Sequence, residues 1–268
     1  MGDAQASTLF SAEGLVAVVT STALEHNGAT KVYIVGRRKE VLENAAKVHS
    51  LFTSKESLGA VVKTIESEVG YVNLFVNNAG ICGRRHNVLP GPLPLEKDVQ
   101  KFLWEDSMEE WDDTFRVNVT GAWFTSVAFL GLLDQGNKRG IVGQTSQIIT
   151  VTSIANLLRN LGSCFSYNAS KAAMTHGGKM LATHFQQCGI RSNMIAPGKI
   201  TAGPGMMDPN NKDKLGDFPP AKVPMKRLGK DEDIAGAVWY VAGRVGAYVN
   251  GNVVIVGGGK TSIMPATY

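Results

Sequence analysis

The chain has 268 residues, 44% apolar, 19% charged and 7% aromatic. This is the composition of an ordinary globular protein, long enough for one α/β domain whose core needs no covalent staples. Its 27 basic and 23 acidic residues leave a net charge of +4, with no run of Lys or Arg long enough to suggest a nucleic-acid or membrane surface.

Three cysteines, Cys82, Cys164 and Cys188, lie far apart in the sequence. An odd number without close spacing argues against a disulfide framework or a zinc knuckle, and fits a reducing compartment. Residues 1–10 lack a basic stretch followed by an apolar one, and Ala6 stands where a myristoylation signal wants Ser or Thr. No apolar run reaches bilayer length. The location expected from these features is cytoplasmic.

Short apolar runs alternate with longer helical patterns, the signature of a parallel sheet covered by helices. Strands are predicted at 16–19, 31–35, 72–77, 147–152, 191–196 and 253–256. Their Val and Ile content without strict alternation suits burial on both faces. Helices are predicted at 39–49, 54–69, 107–133, 167–188 and 231–247, the third opening with Ser107 and Glu110 in capping-box spacing. Residues 203–230, rich in Gly, Pro, Met and Lys, read as a substrate-loop insertion in a single domain spanning 1–268. The first third is unusual. Only residues 20–30 join the first two strands, short for a parallel crossover. Residues 50–53 leave no room for a strand between the first two helices.

Tyr167 and Lys171 form a Tyr-x-x-x-Lys pair. Four residues apart on a helix they share one face, so an ammonium can favour the phenolate and draw a poor acid–base catalyst toward neutral pH. Alone, the pair is a common accident. Context strengthens it, because Ser153 ends the strand at 147–152, where open α/β sheets face their ligands. A hydroxyl there can hold a carbonyl oxygen while the tyrosine delivers a proton, although a Ser at a strand end is often only a helix cap. Asn77-Asn78-Ala79-Gly80 follows the third strand, Asn118-Val119-Thr120-Gly121 lies within the helix at 107–133, and Ile195-Ala196-Pro197-Gly198 ends the fifth strand. Asn inside a helix costs propensity and needs a partner, which singles out Asn118.

These phrases, in this order and covering the chain from about residue 10 onward, resemble the short-chain dehydrogenase/reductase family, its fungal members in particular. The resemblance implies a Rossmann-like doubly wound parallel sheet, here with a truncated first crossover helix and a missing edge strand. It implies Tyr167 as proton donor or acceptor, Ser153 as the group polarising the substrate oxygen, and Lys171 lowering the tyrosine pKa while binding the nicotinamide ribose. It implies Asn118 holding a relay water. Asn77, Asn78 and Gly80 would border the cofactor, and Gly198, Ile200 and Thr201 would meet the carboxamide. Family members carry Thr where this chain has Ala202. Arg37 and Arg38 follow the second strand, where the family reads the ribose 2′-phosphate, and two guanidinium groups there favour NADP.

One family feature is missing. The first strand runs into Thr20-Ser21-Thr22-Ala23-Leu24-Glu25 rather than Thr-Gly-x-x-x-Gly-x-Gly, the loop whose amides cradle the pyrophosphate. The acidic residue after the family's third strand is also gone, and with it that strand. A mis-called intron, a splice variant and a true deletion would all leave this pattern. The implied function is NADP(H)-dependent interconversion of a carbonyl and an alcohol on a small organic substrate, by a homo-oligomer (dimer or tetramer) without nucleic-acid or membrane partners. The alternatives are a cofactor-independent proton-transfer, isomerase or cyclase-like catalyst or pseudoenzyme on the same scaffold, and a non-catalytic subunit paired with an active relative.

Overall fold

The computed structural model describes residues 5–19, 29–34, 54–84, 97–159, 164–199 and 223–267. Six strands form one parallel sheet: β1 (Val16–Val19), β2 (Lys31–Ile34), β3 (Leu74–Asn77), β4 (Gln147–Val151), β5 (Arg191–Pro197) and β6 (Val253–Val256). Their spatial order is β2-β1-β3-β4-β5-β6. The chain winds outward one way from β1 to β2 and the other way from β3 to β6, so the sheet splits between β1 and β3. Ligands of doubly wound sheets enter at that split, outside the carboxyl ends of the strands.

Nine helices flank the sheet among the described residues: α1 (Ala6–Leu9), α2 (Lys55–Glu68), α3 (Lys97–Trp104), α4 (Met108–Phe115), α5 (Ala122–Ala128), α6 (Leu130–Arg139), α7 (Phe165–Phe185), α8 (Asp231–Ala242) and α9 (Lys260–Ile263). Side chains of a strand alternate between faces, and here both faces are dry. Ala17, Val19, Leu74, Val76 and Ile149 pack with Val238 and Val241 of α8. Val16, Val18, Phe75 and Ile148 pack on the other side with Ile65, Phe129, Leu133 and Leu181. Phe75 and Phe129 stack with ring centroids 4.8 Å apart. Burial on both faces is why these strands read as unbroken apolar runs.

The helix predicted over 107–133 is not continuous. Ser107 caps α4 as expected, accepting from the Glu110 amide, but Arg116–Gly121 adopts a π-helical turn before α5. A turn with i→i+5 bonding holds an extra residue and marks a place where a side chain is wanted elsewhere. That turn holds Asn118. The helix predicted from Tyr167 begins earlier, with Cys164 at its N-cap, which sets Tyr167 and Lys171 in the first turns of a long, buried helix. Helix α8 closes its N-terminus through the Asp233 carboxylate, which accepts from the Lys230 amide at 2.8 Å. Residues 223–230, the end of the expected insertion, pack closely, with Val223 and Leu228 buried. The predicted helix at 39–49, the shortened crossover, and Arg37, Arg38, Ile200 and Thr201 lie outside the described residues.

Candidate active site

Three strand ends and one helix converge beside the split in the sheet. Ser153 follows β4, and its Oγ accepts from the Ala155 amide at 3.2 Å, capping a short turn. The same hydroxyl lies 3.5 Å from the Pro197 carbonyl at the end of β5. Tyr167 reaches toward it from α7, near enough for the Ser153 hydroxyl to act on the phenol and lower its pKa. Ser153 is therefore a cap, as a serine at a strand end often is, and its hydroxyl also faces the crevice on the side of Tyr167.

Lys171 lies one turn further along α7, buried, with Nζ 5.6 Å from the centre of the Tyr167 ring. Its ammonium donates to the Val151 carbonyl at 3.1 Å. Burial pushes its pKa down to about 8. The expected effect on the phenol is absent. Tyr167 is raised above its ordinary value, by burial first, with the Cys82 and Cys164 sulfurs adding to the rise and the Ser153 hydroxyl opposing it. The physical reason is that Lys171 is itself desolvated and directed at Val151, while the thiols lie close to the hydroxyl.

Asn118 is bound on every side. Its Oδ1 accepts from the Ile81 amide and its Nδ2 donates to the Ile81 carbonyl, both at 2.8 Å. Nδ2 also donates to Ser170 Oγ at 3.0 Å. The side chain thus ties the loop after β3 to α7, a positioning task that the sequence did not reveal because Ile81 and Ser170 enter it through the backbone and an ordinary helical serine. Gly80 is required here: a Cβ would lie 3.1 Å from Lys171 Nζ and 3.2 Å from Asn118 Oδ1. Asn77, expected beside the cofactor, turns its amide inward and donates to the Ala122 carbonyl at 2.8 Å and to Ser126 Oγ. It thereby fixes β3 to α5. Asn78 is half-buried in the same loop. Gly198 ends β5 so close to β6 that a Cβ would lie 2.9 Å from Gly257 Cα.

Comparison with known proteins agrees with this geometry. A family model described as enoyl-(acyl carrier protein) reductase matches residues 4–261. The short-chain dehydrogenase/reductase PhomF of Diaporthe leptostromiformis is 39% identical, covering 98% of this chain and 97% of its own. VdtF of Byssochlamys spectabilis, of the same description, is 37% identical with 98% of each chain covered. The PhomF alignment is 293 positions long against 268 residues here, so that relative has positions without a counterpart in this chain. Among solved structures, the 3-ketoacyl-(acyl-carrier-protein) reductase of Brucella melitensis, complexed with NADH, superposes with TM-score 0.71 at 23% identity, covering 94% of this chain and all of that one. A gluconate 5-dehydrogenase of Burkholderia cenocepacia, in complex with NADP and tartrate, gives 0.69 at 22%, covering 96% and 99%. At such identities the superpositions speak for the fold; membership rests on the family model and the fungal relatives, and by these the chain belongs to the short-chain dehydrogenase/reductase family of oxidoreductases.

Proposed function

We propose that this enzyme is an NADP(H)-dependent reductase or dehydrogenase that interconverts a carbonyl and an alcohol on a small organic molecule, a secondary metabolite. The observation that carries the reading is the convergence of the Ser153 and Tyr167 side chains at the crevice, with the Lys171 ammonium buried one turn behind, 5.6 Å from the centre of the tyrosine ring. The described residues fit the nicotinamide-ribose end of a nicotinamide nucleotide. An ammonium has three donors, and Lys171 directs one at Val151, leaving two for the hydroxyls of a ribose. Gly80 carries no side chain where a Cβ would crowd Lys171 Nζ and Asn118 Oδ1, so this loop does not press on the ammonium. Two relatives in the solved set were captured with NADH or NADP.

The cofactor, when bound, supplies or accepts the hydride at the substrate carbon. In the reductive direction the Ser153 hydroxyl donates to the carbonyl oxygen, and Tyr167 transfers its proton to that oxygen as charge develops there. The phenolate left behind regains a proton from solvent, while the Lys171 ammonium stays directed at the Val151 carbonyl and the ribose. Asn118 keeps the loop bearing Gly80 and the helix bearing Tyr167 in register. Gly198, with Ile200 and Thr201 beyond it, is assigned to the carboxamide, and Arg37 and Arg38 to the 2′-phosphate that distinguishes NADP from NAD. The same reading includes a cytoplasmic homo-oligomer, dimer or tetramer, pairing through α5 and α7, whose Phe124, Val127, Phe165 and Met180 are exposed.

The test is nucleotide binding by the chain as it stands. NADPH is expected to quench the fluorescence of the four tryptophans and to raise the melting temperature more than NADH does. No response to either at millimolar concentration overturns the cofactor assignment, and turnover without nicotinamide would favour proton-transfer chemistry on the same residues. The genomic sequence around codons 20 and 50 tells whether a Gly-x-x-x-Gly-x-Gly stretch lies in frame.

A further inference from the structure

Cys82 and Cys164 are 82 positions apart in the chain, yet the fold brings their Sγ atoms to 3.1 Å. Neither is in a disulfide. Cys82 belongs to the loop after β3, next to Ile81, whose backbone Asn118 holds. Cys164 is the N-cap residue of α7, one turn ahead of Tyr167. The two differ in access, since Cys82 is exposed while Cys164 is fully buried. The reaction assigned to this enzyme uses neither thiol.

We propose that Cys82 and Cys164 are a thiol–disulfide modification site, in which a low-molecular-weight disulfide such as oxidised glutathione closes a bond that ties the loop after β3 to the catalytic helix and slows turnover. The slowing rests on the active-site reading above; the bond itself does not.

The burial difference sets the order of steps. The accessible Cys82, deprotonated to its thiolate, attacks one sulfur of the glutathione disulfide. The first glutathione leaves as a thiolate and takes up the proton that Cys82 released. The Cys164 thiolate then attacks Cys82 Sγ, forming the intrachain bond and expelling the second glutathione thiolate, which takes the proton that Cys164 gave up. Two protein thiols are oxidised by two electrons, and one disulfide is reduced to two thiols. Cys164 suits the resolving role because its Sγ already lies 3.1 Å from Cys82 Sγ. In the reduced chain the Cys82 thiol does most to lower the Cys164 pKa, and once Cys82 is held in the mixed disulfide the Ser166 hydroxyl and the backbone at Tyr167 and Gly83 remain to favour the thiolate.

Closing the bond brings the sulfurs from 3.1 Å to about 2.05 Å. The movement of about 1 Å falls on the first turn of α7 or on the loop carrying Gly80. Misplacement of that size can cost on the order of a hundredfold in rate.

The experiment uses the full chain incubated with oxidised glutathione, then digested without reduction and read by mass spectrometry. A Cys82–Cys164 linked peptide and the loss of two of the three thiols are expected, both reversed by dithiothreitol. Cys164→Ser should stop at a glutathione adduct on Cys82, and Cys82→Ser should leave Cys164 unreacted. The oxidised wild type should melt several degrees higher, because the bond closes a long loop. A persistent adduct on Cys82 in the wild type, a bond to Cys188, or no thiol loss would overturn the site. Carbonyl reduction should fall at least tenfold on oxidation of the wild type and hold in Cys82→Ser; an unchanged rate with the bond formed would overturn the control of turnover. Absence of reductase activity in both redox states would instead count against the assigned reaction, leaving the mass result to decide the bond.

Discussion

Asn118 holds Ile81 by both of its backbone groups, accepting from its amide and donating to its carbonyl at 2.8 Å each. A primary amide is the side chain that can do both at once, imitating a strand partner for a loop that has none. The π-turn at Arg116–Gly121 carries this side chain between α4 and α5 toward the crevice, so a helical irregularity and a loop conformation form one device.

Asn118→Leu should therefore leave both Ile81 groups unsatisfied in a buried setting. A loss of about 2–4 kcal/mol is expected in urea unfolding, together with faster amide exchange at Ile81. Unchanged exchange at that amide would mean that the loop holds itself.

Tyr167→Phe removes a hydroxyl and little else. Turnover should drop by roughly 10²–10⁴ while the melting temperature and nucleotide affinity stay close to wild type. Ser153→Ala should lower turnover as well, with an added loss of stability of about 1 kcal/mol because the same oxygen caps the turn at Ile154–Asn156. A rate in Tyr167→Phe equal to wild type would remove this tyrosine from the chemistry.

Lys171 carries a stability signature. Its folded pKa of about 8 lies below the ordinary 10.5. Between these values the unfolded chain holds the proton and the folded one does not, so its contribution to stability rises with pH across this window. Below pH 8 both states are protonated, and the full cost of burying the cation, on the order of 3 kcal/mol, is present. Lys171→Met in the absence of nucleotide should melt a few degrees above wild type at pH 7, and the gap should close toward pH 10.5. An equal gap at both ends would mean that the lysine is not desolvated.

Arg191, at the amino end of β5, is buried far from the chemistry. Its guanidinium donates to the Gly246 and Val249 carbonyls at 2.9 and 3.2 Å and to the Thr145 carbonyl at 3.1 Å, and burial lowers its pKa to about 10. Replacing it removes a donor from the Thr145, Gly246 and Val249 carbonyls, of which Gly246 keeps the Val249 amide and Val249 keeps the Asn193 side chain. Arg191→Met should lose about 1–3 kcal/mol in chemical denaturation, with the turnover of the folded fraction unchanged. A loss of activity in the folded fraction would tie this end of the sheet to the site.

The first and last strands were legible residue by residue because each is an unbroken run of Val, Ile and Ala; Val16–Val19 and Val253–Val256 coincide with their predicted spans. The helix at 107–133 was not, because a π-turn keeps a helical apolar pattern while shifting its phase. The Ser153, Tyr167 and Lys171 set was readable from spacing, since two of its members share a helix face and the third ends a strand. The direction of the tyrosine's pKa was not, because desolvation and the nearness of two thiols depend on what packs around the ring.

By itself the sequence determined a parallel α/β sheet and the residue types of the site, because periodicity and local spacing are properties of neighbouring residues; the family entered as a resemblance of its motifs, which the fungal relatives bear out. Tertiary structure alone decided that Asn118 meets Ile81, that Lys171 faces Val151, and that Cys82 lies against Cys164. These pairs are brought together by chain segments packed from opposite sides of the crevice, and proximity across such a distance leaves no periodic trace in the order of amino acids.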